Sequence, residues 1–124
     1  ALATVFLTAQ TVNWFNQNGG LSWSAGRSAT SAKTLYSWAS ASDAAEPFVQ
    51  IESQRSKVVA TIDFDESIDA DTLDSVLRAN GIVDVNGYRK LGRNQLRIGM
   101  FPAIDPADTQ ALTACLDYCI ERLG

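Results

Sequence analysis

The sequence predicts an α+β fold, in which helices pack on one face of a mostly antiparallel sheet. Residues 57–64 and 95–101 alternate between apolar and polar side chains, which is typical of half-buried strands. Residues 106–123 repeat apolar side chains at helical spacing. The 124 residues suit a single domain. The predicted order of elements is α-α-β-β-α-β-β-α.

Residues 1–45 are predicted to form two lead-in helices, and residues 46–124 an αβ sandwich. The first helix carries apolar residues at helical spacing and ends at residues 18–20, Asn-Gly-Gly. The second begins near Ser22 or Ser24, ends near Ser40, and is rich in small residues that suit close packing. A short strand is then expected at Phe48 and Val49.

Asp69 is the predicted N-cap of the next helix, which ends at Asn80-Gly81. Ile82 and Val83 are predicted to form a short strand, followed by a polar loop over residues 84–94. The last helix begins with Asp105 as cap and Pro106 in the first turn, where no backbone N–H is needed.

Composition excludes several classes of function. Ten Lys and Arg against fourteen Asp and Glu give a net charge of −4, which does not favour a nucleic-acid partner. The absence of histidine excludes Ser-His and Cys-His nucleophile pairs and His-ligated zinc. The apolar start, residues 1–7, is too brief for a signal peptide or a membrane span. A cytoplasmic protein without membrane partners is expected.

Other candidate sites have simpler interpretations. Cys115 and Cys119, one helical turn apart, are interpreted as buried, inert thiols. Lys33 is expected to be exposed rather than to form a Schiff base. An acidic group lacks the spacing of a calcium loop and is interpreted as a solvated face, with no metal site expected; its members are Asp63, Asp65, Glu66, Asp69, Asp71 and Asp74.

The informative segment is basic. Residues 89–97 hold four of the ten basic side chains of an acidic chain, and three of the four are arginines. Arginine suits carboxylate and phosphate groups because its planar fork makes two parallel hydrogen bonds. Arg97 lies on the predicted strand face opposite Leu96 and Ile98, and Gly99 beside it leaves room for a ligand. A solvated basic loop is the alternative interpretation.

This segment also carries a family resemblance. Residues 57–64 (KVVATIDF), 77–84 (LRANGIVD) and 88–102 (YRKLGRNQLRIGMFP) closely resemble the C-terminal part of the phosphoserine aminotransferase family, in its actinobacterial form. Residues 1–7 (ALATVFL) and 19–21 (GGL) resemble the helices that lead into that domain. The resemblance covers essentially the whole chain.

The resemblance implies a fold-type I, class V aminotransferase that uses pyridoxal phosphate. The implied reaction of the parent converts phosphoserine and 2-oxoglutarate to 3-phosphohydroxypyruvate and glutamate, in serine biosynthesis. Arg97 matches the family arginine that pairs with the substrate α-carboxylate. Arg89 matches the one that contacts the phosphate or the distal carboxylate.

Two departures leave the phosphate assignment open. Tyr88 stands where many members have histidine, and the stretch between Arg89 and Arg97 is two residues longer than in the commoner bacterial form. The phosphate contact therefore stays open among Arg89, Lys90 and Arg93.

No stretch resembles the large domain that carries the family's Schiff-base lysine and cofactor ligands. The chain is therefore expected to be the small C-terminal domain alone, inactive and without bound cofactor. Its implied partners are small anionic substrates, its own upstream large domain and, in the parent, a second subunit. Two alternatives stay open: a stand-alone α+β anion-binding or regulatory module, and the equivalent domain of another class V aminotransferase.

Overall fold

The computed structural model describes residues 1–123, which form four α-helices and a three-stranded antiparallel sheet. The elements in chain order are α1 (Leu2–Gln17), α2 (Gly20–Ala41), β1 (Ala45–Pro47), β2 (Val59–Phe64), α3 (Ala70–Ala79), β3 (Gln95–Gly99) and α4 (Pro106–Leu123), with one 3₁₀ turn at Glu52–Gln54. The strand order is β1-β2-β3. The α+β class predicted from the sequence is confirmed.

The two faces of the sheet differ in chemistry. Directly paired residues share a face of an antiparallel sheet, so the pairs of Ala60 with Ile98 and Ile62 with Leu96 define an apolar inner face. The opposite face, called here the outer face, carries polar pairs. Its pairs are Val59 with Gly99, Thr61 with Arg97, and Asp63 with both Gln95 and Glu46.

Helices α2, α3 and α4 share one apolar cluster with the inner face of the sheet. Leu35 of α2, Leu73 of α3 and Leu116 of α4 are each 0% exposed in it. The small residues of α2 allow close approach, as predicted: the Ser28 hydroxyl donates to the Met100 carbonyl oxygen at 2.9 Å. These helices therefore pack on the inner face. On the outer face Arg97 is half-buried, whereas Asp63 and Gln95 are buried.

Helix α1 lies apart from this core. None of its sixteen residues is buried. Leu2 is 85% and Phe6 61% exposed. Near the C-terminal end of α1, Trp14 meets Trp23 of α2 edge to face. Among residues 1–123, no helix is long and apolar enough to cross a membrane.

Two short strands differ in detail from the prediction. The first, β1, ends at Pro47 and so contains neither Phe48 nor Val49. It begins earlier because the Asp65 N–H already donates to the Ala44 carbonyl oxygen at 3.0 Å. Pro47 is tolerated there because β1 is an edge strand, where a missing N–H breaks no ladder bond.

Ile82 and Val83 do not form the predicted strand. The Ile82 N–H donates instead to the Leu77 carbonyl oxygen at 3.0 Å, across Gly81 at φ 86, and thereby closes the end of α3. An isolated bridge between Asn86 and Leu96 occurs a few residues later. With that bridge in the place of the short strand, the predicted order of elements holds.

Candidate anion-binding site

Arg97 projects from the outer face of a firmly held strand. Its backbone is paired with Thr61 of β2 on one side. On the other side its N–H donates to the Val85 carbonyl oxygen at 2.9 Å. Because the strand is bonded on both edges at this residue, the half-buried Arg97 side chain starts from a fixed backbone position.

The chain before β3 runs close beside the strand. A Cβ atom on Gly87 would lie 2.5 Å from the Gln95 carbonyl oxygen, so only glycine permits this approach. The approach brings Tyr88 beside Arg97, with the guanidinium carbon of Arg97 5.9 Å from the centre of the Tyr88 ring. The two predicted site residues are therefore brought together.

Residues 87–92, called here the loop tip, carry Arg89. A hydrogen bond of 2.9 Å from the Leu91 N–H to the Tyr88 carbonyl oxygen closes a turn in the tip. Arg89 and Lys90 are both exposed on it. Arg89 also lines a cleft of about 830 Å³ between the loop and α3, and Arg78, Arg93 and Asp74 are among the other lining residues.

Arg93 has a different environment from the other two arginines. Its Nε lies 3.1 Å from Oδ2 and 3.3 Å from Oδ1 of Asp63, and its Nη2 also donates to Oδ2. Hydrogen bonding and charge attraction from Asp63 raise the pKa of the Arg93 guanidinium above its ordinary value. Arg93 is thus already paired with an anion, although the sequence left it open as a phosphate contact.

The charges of Arg89 and Arg97 are not neutralised in this way. Within residues 1–123, the arginines that form ion pairs are Arg27, Arg78, Arg93 and Arg122. Arg89 and Arg97 therefore retain their guanidinium N–H groups for a ligand. Two unpaired guanidinium groups, one on a strand and one on a loop tip, are suited to a small molecule with two anionic groups.

The space expected over Gly99 is occupied. A Cβ atom on Gly99 would lie 2.8 Å from Cε2 of Phe101, so the Phe101 ring covers this part of the outer face. The glycine therefore accommodates an aromatic ring of the same chain, and not an open space for a ligand as the sequence suggested.

The sequence did not indicate that three residues would surround Arg93. Asp63 is 8% exposed and also accepts a 2.7 Å hydrogen bond from Nε2 of Gln95, while the Phe48 ring lies 4.8 Å from the Arg93 guanidinium carbon. The alternation of β2 placed Asp63 on the polar face, but only the strand register could reveal its partners. The solvated-face interpretation was therefore wrong for Asp63.

The remaining candidates gain no catalytic role. Cys115 is exposed, against the expectation of burial, and half-buried Cys119 has its thiol pKa raised by desolvation and then by Cys115. Lys33 is exposed, as expected. In residues 1–123 no group of three His, Cys, Asp or Glu side chains is arranged to hold a metal ion.

Two solved structures share this fold. The phosphoserine aminotransferase of Bacillus circulans subsp. alkalophilus superposes on 90% of this chain and 30% of its own, with a TM-score of 0.78 at 20% identity. That of Cytophaga hutchinsonii covers 75% of this chain and 25% of its own, with a TM-score of 0.66 at 17% identity. The chain therefore shares the fold of one part of each of these two proteins.

Sequence comparison finds relatives that match the whole of this chain. The phosphoserine aminotransferases of Rhodococcus jostii and Rhodococcus opacus are 55% and 54% identical to this chain over all 124 residues. The chain spans 33% of the length of each. No family model matches the chain. The chain is therefore similar, over its whole length, to one part of these phosphoserine aminotransferases.

Proposed function

We propose that this chain holds the anionic groups of the substrate in a phosphoserine aminotransferase. Arg97 pairs with the α-carboxylate, and Arg89 contacts the phosphate of phosphoserine or the distal carboxylate of 2-oxoglutarate and glutamate. The observation that carries the proposal is that neither side chain has an anionic partner or a hydrogen bond within residues 1–123, whereas Arg93, which lies between them in the sequence, pairs with Asp63. Arg55 also lacks an anionic partner, but its guanidinium donates to the Val49 and Gln50 carbonyl oxygens. The names of the relatives supply the activity.

The two arginines act by orientation. A guanidinium that meets a carboxylate with two parallel hydrogen bonds fixes both its position and its plane. A second anion contact at the other end of the substrate then fixes the remaining rotation. Holding a substrate in one reactive geometry lowers the entropic part of the activation barrier.

Pyridoxal phosphate, which the family implies, is not a ligand that this part of the chain fits. A Schiff-base lysine needs a desolvated site, and Lys33, Lys57 and Lys90 are all exposed. When bound to the parent enzyme, the cofactor supplies an electron sink for the transamination. The contribution of residues 1–123 is to bind and orient the substrate.

The parent's other segments are the proposed partner of α1. Its exposed apolar side chains, such as Leu2, Val5 and Phe6, are typical of a surface that packs on another part of a protein. The relatives are about three times as long as this chain, which leaves room for such a part. A homodimeric parent and a cytoplasmic location stay predictions of the sequence.

The test is Arg97→Ala in the full-length enzyme. We expect kcat/KM for phosphoserine to fall by an amount equivalent to about 2–4 kcal/mol of transition-state binding, since a charged hydrogen-bonded contact is lost. Arg122→Ala is the matched control, because that arginine lies on α4 and pairs with Glu121. An unchanged kcat/KM in the Arg97 variant contradicts the assignment.

Two further measurements address the alternatives. Activity of the wild-type enzyme on unphosphorylated amino acids, but not on phosphoserine, would assign it to another class V aminotransferase. Calorimetry would show whether the 124-residue chain alone binds phosphoserine. If it binds and the full-length protein lacks transaminase activity, an anion-binding module is favoured.

A further inference from the structure

Asp63 and Arg93 join three separate parts of the chain. Asp63 lies on β2, Arg93 is at the end of the loop before β3, and the Arg93 guanidinium also lies over Phe48, just after β1. Gln95 of β3 donates to the other side of the same carboxylate at 2.7 Å. The Asp63 carboxylate therefore accepts hydrogen bonds from the loop and from the strand that follows it.

The ion pair of Asp63 and Arg93 is partly shielded from water. The Asp63 side chain is 11% exposed, so its carboxylate has little water to replace a lost partner. Removing Arg93 would leave a largely buried carboxylate with only the Gln95 amide, which is unfavourable. The geometry uses Nε together with Nη2, an arrangement that fixes the plane of the guanidinium.

This pair lies at the C-terminal base of the loop tip. The N-terminal base is held by the bridge of Asn86 with Leu96. Between the two bases, the tip has the single internal turn from Tyr88 to Leu91 and is otherwise exposed. Fixing both ends of a short segment reduces the conformations available to the residues between them.

We propose that Asp63 and Arg93 are a positioning pair, which keeps the Arg93 guanidinium bound to Asp63 and holds the loop tip, so that Tyr88 stays beside Arg97 and Arg89 keeps its place on the tip. The inference deepens the proposed function and rests on it for the effect on substrate. The pair itself acts through the loop and does not touch the substrate.

The first test is Asp63→Asn in the full-length enzyme. The positioning role predicts that KM for phosphoserine rises about tenfold, the factor expected when one charge-assisted hydrogen bond is lost, while kcat changes less than about twofold. Adding Arg93→Gln to Asp63→Asn should then raise KM little further, because the pair is already broken. Asp84→Asn is the control, since Asp84 is exposed and pairs only with Arg78 in the described residues.

The opposite role predicts the opposite sign. If Arg93 itself binds the phosphate, Asp63→Asn releases its charge, so KM falls or stays unchanged, and the added Arg93→Gln raises KM strongly. Either of these results overturns the proposal. The sign of the change in KM therefore separates positioning from direct binding.

The second test uses the 124-residue chain and does not depend on activity. In nitrogen-15 NMR, the Arg93 Nε–H should exchange slowly in the wild-type chain and rapidly in Asp63→Asn, and the Leu91 amide should lose protection with it. Unchanged exchange at both groups overturns the proposal. If the pair behaves as expected here but the wild-type enzyme does not transaminate phosphoserine, the proposed function fails and the positioning pair remains.

Discussion

The guanidinium carbon of Arg97 lies 5.9 Å from the centre of the Tyr88 ring. Arg97 is on a strand bonded along both edges, whereas Tyr88 lies in the loop tip and is 53% exposed. A ring beside a guanidinium attracts it without occupying its N–H groups. Tyr88 can therefore orient Arg97 and still leave its hydrogen-bond donors for a carboxylate.

Replacing Tyr88 by Ala in the full-length enzyme should raise KM for phosphoserine about two- to fivefold, the effect of one exposed cation–π contact. Tyr88→Phe should leave KM unchanged, because it retains the ring and the described residues give the hydroxyl no hydrogen bond. Steady-state kinetics on both variants makes the comparison. Equal impairment of the two variants would assign the effect to the hydroxyl and contradict the ring's role.

Asn94 should be a strong determinant of stability. Its Nδ2 is near the carbonyl oxygens of Phe64, Asp65 and Ile68, at 3.1, 3.1 and 2.7 Å, and its Oδ1 accepts from the Ala70 N–H at 2.8 Å. These bonds join the end of β2 to the start of α3. Asn94→Ala should lower the free energy of unfolding by about 1–3 kcal/mol, because several backbone groups lose their partner.

Urea denaturation of the chain measures this change. Asn80→Ala is the matched control, because the Asn80 amide makes only one local bond, to the Val76 carbonyl oxygen at 2.9 Å. A loss for Asn94→Ala no larger than that for the control would show that the network contributes little.

Helix α2 offers a matched test of the core. Leu35→Ala should lower the free energy of unfolding by about 2–5 kcal/mol, because Leu35 is 0% exposed and the truncation leaves a cavity. Leu21→Ala on the same helix should change it by less than about 0.5 kcal/mol, because Leu21 is 84% exposed. Thermal or urea unfolding would measure both, and similar losses would contradict the packing described for α2.

Acid should lower the free energy of unfolding, because two carboxylates at helix starts become protonated. The Thr72 hydroxyl, followed by backbone N–H groups, lowers the pKa of Asp69 from 3.8. The Ala107 N–H, followed by Arg27, lowers the pKa of Asp105 from the same value. Since both pKa values are depressed in the folded state, their stabilisation is present above pH 3.8 and is lost as pH falls through the lower folded values.

Urea midpoints measured from about pH 6 down to about pH 2.5 test this dependence. In Asp105→Asn, the urea midpoint should fall less with acid than in the wild-type chain. Glu66→Gln should not reduce this fall, because Glu66 is exposed and its side chain has no hydrogen bond within the described residues. If the urea midpoint of Asp105→Asn falls with acid as far as that of the wild-type chain, Asp105 does not contribute to the pH dependence of stability.

The long elements could be predicted because their signals are local. Asp69 accepts hydrogen bonds from the Asp71 and Thr72 N–H groups, as its place before an apolar helix indicated. The alternation of β2 and β3 likewise follows from neighbouring residues along one strand. The short strands could not be predicted in the same way. The Ile82 N–H closes the end of α3, so it is not available for the strand predicted at that residue.

The sequence by itself determined the fold class, and its resemblance pointed to Arg97 and Arg89 as candidate anion contacts. The role of Arg93 was decided only by the tertiary structure. Asp63 is thirty residues away along the chain, and only the antiparallel register, which pairs Asp63 with Gln95, brings it within reach of Arg93. Periodicity shows which face a side chain occupies, but its partner on that face depends on strand pairing between distant segments.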